Sequence, residues 1–406
     1  MTGFPAPQGG RPLLGLLPAL ALLGLGGIAL RIPILAIPPI LPVLHDHFRM
    51  SETEVGLLVG LPLGLFALVA VPGSLLVARL GARMTLLGGM AVAGVASGAR
   101  GLVTSLPALY AVTIVMAAGV SVMQPALPRL VRDWVPERIG LGTAIYTNGM
   151  LIGAVSPIGL TGALVMPLVD RDWRADLLVW AVPVIVITLI SALGLRAMPN
   201  PRTHASVPDR WWPDWKSPLT WMLGLTFASN NSMYFALNSV LPEFLTDSGR
   251  SGLIGSALLW LNLAQVVALV SMLFAAERLL HRAWPYLVFG PLAFLGIVGL
   301  AYLDGAWMIA SSTLVGLTTA MTFGTTLALP PLLSRPDDVH RTAAGTFTIA
   351  YACAIVIPIL CGALWDATGI PRLAFIPVLA CAAGLTVFGA LVTQYRRPPP
   401  DRVGAA

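Results

Sequence analysis

Charge is what this sequence has least of. Only 10% of its 406 residues are Asp, Glu, Lys or Arg, while 57% are hydrophobic; about 25% charge is usual in soluble domains. A water-facing exterior cannot be built over most of such a chain, which makes it a polytopic membrane protein. Cysteine is nearly absent. Cys353, Cys361 and Cys381 lie in apolar stretches with neither the paired spacing nor the histidine company of a metal site, and read as core or lipid-facing filler. There is no Gly-x-x-x-x-Gly-Lys-Ser/Thr phosphate loop, so ATP is not the direct energy source. No Gly-x-Ser-x-Gly elbow with a credible triad occurs, and His45 and His47 stand two apart without further ligands. Paired histidines or carboxylates inside the apolar runs, which a membrane-embedded enzyme needs, are missing, as is a soluble output domain for a receptor. No enzyme activity, cofactor or metal is expected. The net charge of +6 needs no nucleic acid to explain it, because the basic residues are distributed as a topology signal.

What is present is a series of apolar runs at roughly 14–44, 55–78, 84–103, 106–130, 141–168, 177–198, 218–245, 252–276, 284–303, 306–333, 342–365 and 373–395. They predict an all-α integral membrane protein of twelve transmembrane helices. The longest interruption, PNPRTHASVPDRWWPDWKSP, is midway along the chain. It sets an N-terminal six-helix bundle at 1–198, an interfacial linker at 199–217 and a C-terminal six-helix bundle at 218–406. Trp211, Trp212 and Trp215 are expected at headgroup depth. With both termini on one side, 17 of the 24 Lys and Arg residues fall there and 6 on the other. That bias places the chain in the cytoplasmic (inner) membrane with both termini and the linker in the cytoplasm. The first run has only Arg11 before it and no convincing cleavage site, so it reads as the first span and not as a signal peptide.

The two halves superpose as sequence. ILPVLHDHFRMSETEVGLL from Ile40 matches VLPEFLTDSGRSGLIGSALL from Val240, and ARLGARMTLL from Ala78 matches ERLLHRAWPY from Glu277. Ala126, Leu127 and Pro128 match Ala328, Leu329 and Pro330. Offsets of 199 to 202 recur at all three places, the mark of two pseudo-symmetric bundles with a solute site between them near the midplane.

The double repeat with an Arg-rich turn between helices 2 and 3 resembles the major facilitator superfamily. Within it, LRIPILAIPPILPVL from Leu30, ALPRLVRDWVPERIGLGTAIYTNGMLIGA from Ala126 and RTAAGTFTIAYACAIVIPILCGALWDATG from Arg341 resemble the cyanate and 2-nitroimidazole permease family. The resemblance implies alternating access of a small-molecule solute in a lipid bilayer. It also implies conformational roles for Arg79, Gly81 and Arg83, with Glu277 and Arg278 at the repeat-equivalent turn. SLLVARLGAR departs from the superfamily signature by having Ser74 and Ala78 where glycine and an acid would fall, so Glu277 is the acid left to act as latch. GMLIGAVSPIG lacks the antiporter proline, and Gly149 and Gly153, four apart, read as helix packing.

Arg31 is the single charge in the run from Pro12 to Leu44. It lies about 21 Å below the loop that begins at His45, at about 1.5 Å per residue, which is near mid-membrane. A charge there faces a cavity or a partner. All 18 acidic residues fall in loops or near helix ends, so the deep charge is positive and unpaired, suited to a carboxylate-like anion. The repeat places Asn231 opposite, and Asn231, Tyr234 and Asn238 share one helical face. Gln124, Tyr146, Asn148 and Tyr351 complete the expected ring. The expected function is secondary transport of a small polar, anionic solute by a monomer, the alternative being efflux of neutral or drug-like nitroheteroaromatic compounds.

Overall fold

The computed structural model describes residues 13–197, 211–280 and 282–395. The linker expected at 199–217 is described from Trp211 onward, and both chain termini lie outside the described residues. Twelve membrane-length helices and no strands are found among the described residues. They are α1 (Leu13–Leu35), α2 (52–80), α3 (82–99), α4 (Leu106–Trp134), α5 (Ile139–Leu160), α6 (Trp173–Ala197), α7 (Pro218–Asp247), α8 (Ile254–Leu279), α9 (Trp284–Tyr302), α10 (Gly305–Leu333), α11 (Val339–Thr368) and α12 (Ile376–Gln394). α2 and α3 run as one rod broken at Gly81, whose φ of 82° only glycine adopts at no steric cost. α7 is the least hydropathic span because Asn230, Asn231 and Asn238 interrupt it.

Local chemistry sets the ends. Ser51 caps α2 through a reciprocal box: its hydroxyl accepts the Glu54 N–H at 3.3 Å, and the Glu54 carboxylate accepts the Ser51 N–H at 2.8 Å. Gly369 closes α11 in the left-handed region. The outer surface is apolar in the membrane manner, with Phe274 82% and Leu68 72% exposed.

Close backbone contact orders the bundles. A Cβ on Gly149 would lie 2.2 Å from the carbonyl oxygen of Gly24, and one on Gly27 would lie 2.1 Å from that of Tyr146. α1 and α5 therefore touch main chain to main chain, which fixes Leu30 on α1 and Tyr146 on α5 as walls of one space. Trp180 on α6 donates its indole N–H to the Thr161 hydroxyl at 2.8 Å, at the π-helical turn Thr161–Val165 that extends α5.

Helices α1–α6 and α7–α12 form the two bundles. The end where α2 meets α3, rich in arginine, holds them together. Arg132 of α4 donates to the Pro331 carbonyl of α10, and Arg129 of α4 lies 3.7 Å from Asp337 in the turn before α11. Glu277 of α8 accepts the Leu141 backbone N–H of α5 at 2.9 Å. The connector touches both halves: Ser74 of α2 donates to the Trp211 carbonyl at 2.7 Å and Arg341 of α11 to the Trp212 carbonyl at 2.9 Å. About two turns further in, Asn148 of α5 donates to the Leu269 carbonyl of α8 at 2.7 Å, and Thr348 of α11 to the Ala67 carbonyl of α2 at 3.1 Å.

Candidate functional site

A cavity lies between the bundles at mid-depth. Leu30, Gln124, Leu127, Tyr146 and Met150 line it from one bundle, and Phe227, Phe323, Leu327, Phe347 and Tyr351 from the other. The rings are in mutual contact: Phe227 has its centroid 5.5 Å from both Phe323 and Phe347, and Tyr351 lies 5.0 Å from Phe66 and 6.2 Å from Phe347. Four helices thus supply one continuous aromatic wall.

The few polar groups on this wall are under-used. Gln124 and Tyr146 are buried, 4% and 2% exposed; the Tyr146 hydroxyl has no hydrogen-bond partner among the described residues, and Gln124 Nε2 has none beyond the Tyr351 hydroxyl. Each such group costs about 1–3 kcal/mol when left unsatisfied.

Arg31 follows Leu30 on α1, is half-buried and is not itself among the cavity-lining residues. Tyr234 and Tyr351, on two helices of the opposite bundle, lie within its electrostatic reach. Among the described residues it makes no ion pair and no hydrogen bond. The natural structural partner, the carbonyl freed where α1 ends at the proline cluster, is occupied by a different arginine. Arg100 donates from Nη2 to the Pro33 carbonyl and to Ser97 Oγ, both at 2.7 Å. Arg100 is fully buried at the end of α3, near the end of the apolar run 84–103. It caps the last turn of α1, two residues beyond Arg31.

The polar stripe of α7 is spread over three surroundings. Tyr234 donates to Asn262 Oδ1 at 3.1 Å, and the Asn262 amide approaches Asn238 Oδ1 at 3.5 Å. Gln265, one turn along α8, approaches the same Asn262 oxygen at 3.4 Å. Asn231 is buried with its Nδ2 unpartnered among the described residues, whereas Asn230 turns to α10 and bonds Thr319 and Thr322. Asn148 points away from the cavity and staples α5 to α8. Asn262, Gln265 and Arg100 escape a reading by repeat position alone. The first two carry a legible signal, two amides three apart inside an apolar run; Arg100 carries none.

Arg79 and Arg278 are exposed on the arginine-rich end, and Gly81 forms the break between α2 and α3. Arg83 lies 5.9 Å from the centre of the Trp134 ring. Ser74, where the superfamily signature has glycine, is fully buried by its bond to the connector. Among the described residues no cluster of three or more metal-ligating side chains occurs. The deeply buried Asp176 lies in the first turn of α6 and is not among the cavity-lining residues.

The chain's sequence matches the family model of the Major Facilitator Superfamily over residues 19–358. It is 24% identical to the "Uncharacterized transporter YycB" of Bacillus subtilis over 372 residues, 89% of each chain. It is 26% identical to the "2-nitroimidazole transporter" of Escherichia coli over 374 residues, 89% of this chain and 91% of the relative. In three dimensions it matches the crystal structure of the E. coli fucose:proton symporter with a TM-score of 0.74 at 12% identity, over 94% of this chain and 99% of that one. At that identity the structural match speaks for the fold. The chain belongs to the major facilitator superfamily and is a multi-pass membrane transporter of small solutes, not an enzyme.

Proposed function

We propose that this transporter carries a small polar, anionic solute across the cytoplasmic membrane by alternating access, with Arg31 as the anion-binding group. The observation that carries the reading is the guanidinium of Arg31: next to the cavity-lining Leu30, free of ion pairs and hydrogen bonds among the described residues, and with Tyr234 and Tyr351 within its electrostatic reach. A planar fork of donors suits a carboxylate or another delocalised anion. Gln124, Tyr146, Asn231 and Tyr351 would surround the bound solute, and Asn238 with Tyr234 would line its approach. Asn148, tied to Leu269, belongs to the contact between bundles.

On this reading the arginine-rich end and both termini are cytoplasmic, by the excess of Lys and Arg there. Residues 1–198 rock against 218–406 about the midplane, with 199–217 as the linker, and the unit is a monomer. The bonds from Arg132, Arg129 and Glu277 then close the cytoplasmic side, so this is a state open or opening outward. Arg79, Gly81, Arg83, Glu277 and Arg278 act in the change of state, Gly81 by permitting the sharp break between α2 and α3 and Glu277 by gripping the start of α5. With no acid among the lining residues, the expected mode is facilitated movement or anion exchange.

Counterflow in proteoliposomes, with small anions, neutral heteroaromatics and cationic dyes offered in parallel, tests the reading. Anion exchange abolished by Arg31→Gln in protein of normal yield supports it. A second reading, efflux of neutral or drug-like compounds, is favoured by the apolar lining of the cavity and by the similarity to the 2-nitroimidazole transporter. It takes the lead if neutral compounds exchange and Arg31→Gln leaves that exchange unchanged.

A further inference from the structure

We infer that the solute is a small planar aromatic acid, its ring held among Phe227, Phe323, Phe347 and Tyr351 and its carboxylate between Arg31, Gln124 and Tyr146. The inference rests on the reading of Arg31 as the anion site and narrows the class of anion. The first support is the wall. Phe227, Phe323, Phe347 and Tyr351 line one side of the cavity with centroids 5.5 to 6.2 Å apart, and a further ring fits such a cluster by edge-to-face or offset contact.

The second support is the set of polar groups. The Tyr146 hydroxyl can donate and has no partner among the described residues, while Gln124 Nε2, also a donor, lies against the Tyr351 hydroxyl; both side chains are buried and line the cavity. A carboxylate accepts hydrogen bonds and donates none, so it complements them. No Asp or Glu lines the cavity. A polyol, which must donate from each hydroxyl, would find few acceptors there, and the second charge of an aliphatic dicarboxylate would be pressed against ring faces, which are electronegative.

The test is calorimetric binding to the purified full-length protein at neutral pH, with benzoate, nicotinate, cyclohexanecarboxylate, succinate and nitrobenzene as probes. Benzoate or nicotinate should bind at least tenfold more tightly than cyclohexanecarboxylate, which has the same charge on a puckered ring, and than succinate. Phe347→Leu should shrink that ratio to about twofold by weakening the aromatic acids alone. Should Phe347→Leu fail to fold, the wild-type ratio decides. Equal binding of benzoate and cyclohexanecarboxylate, both lost in Arg31→Gln, overturns the aromatic inference while the anion reading stands. Nitrobenzene bound as tightly as benzoate, with neither affected by Arg31→Gln, overturns both.

Discussion

Glu277 and Leu141 are joined across the two bundles: one carboxylate oxygen at the end of α8 accepts the backbone N–H of Leu141 at the start of α5, 2.9 Å away. The first N–H groups of a helix have no partner within it, and the helix dipole favours a negative charge there. The fit is close, since a Cβ on neighbouring Gly140 would lie 3.0 Å from the same oxygen. The repeat-equivalent position in the first bundle is Ala78, which can make no such bond. The arrangement makes this tie between the bundles one-sided.

Glu277→Gln should therefore loosen the arginine-rich end. A loss of about 1 kcal/mol, within the range for a charge at a helix start, shifts the ratio of the two states about fivefold. Spin labels at the exposed positions Leu80 and Trp284 should show a longer distance gaining population. An unchanged distance distribution would mean that the bond does not hold the closed end.

Ser74 makes a separate tie, to the connector. Ser74→Ala leaves the Trp211 carbonyl without this donor and should lower stability by about 1–3 kcal/mol. Limited proteolysis should cut the connector faster in the variant, with the helices as resistant as before. Equal cleavage rates would show that the tie is incidental.

Gly149→Ala tests the contact of α1 with α5. The new methyl would meet the Gly24 carbonyl oxygen at 2.2 Å, so a backbone must move, at about 1–3 kcal/mol for an overpacked contact. A lower melting temperature and weaker solute binding are both expected, because Arg31 and Tyr146 are placed by this seam. An unaltered melting temperature would contradict the packing.

Much of the architecture is legible in the chain itself, because membrane length, Lys/Arg bias and the repeat are properties of runs and survive errors of a few residues. Facing direction is not such a property. Tyr146 and Asn148 stand two apart, about 200° around an α-helix, so both cannot look into one cavity; the structure turns Tyr146 inward and Asn148 to α8. Arg100 is hidden for a related reason. It lies near the end of the apolar run 84–103, before a polar Thr-Ser pair, and only the tertiary position of the Pro33 carbonyl explains its burial. The i, i+3, i+7 spacing on α7 finds Tyr234 and Asn238, but their partner Asn262 lies on α8, beyond the reach of any single-helix pattern.

Arg100 bonds the last turn of α1 two residues beyond Arg31. Arg100→Leu removes the cap on the last turn of α1 and should raise the Kd for solute about three- to tenfold, or roughly 1 kcal/mol per lost hydrogen bond. Arg100→Lys, which keeps a charge and a donor, should recover part of the loss. A purely structural role would lower the yield of folded protein and leave the Kd of the folded fraction unchanged.

The central claim, that Arg31 binds the anionic group of the solute, is tested most directly by a thermodynamic cycle on the purified protein. The Kd of an aromatic acid and of its uncharged amide are measured in the wild type and in Arg31→Gln. A charge-assisted bond in a cavity is worth about 1.5–3 kcal/mol. The account therefore predicts that the acid loses about 10- to 150-fold in affinity on substitution while the amide changes little, an interaction isolated by the cycle. Equal losses for acid and amide, or none for either, would contradict it.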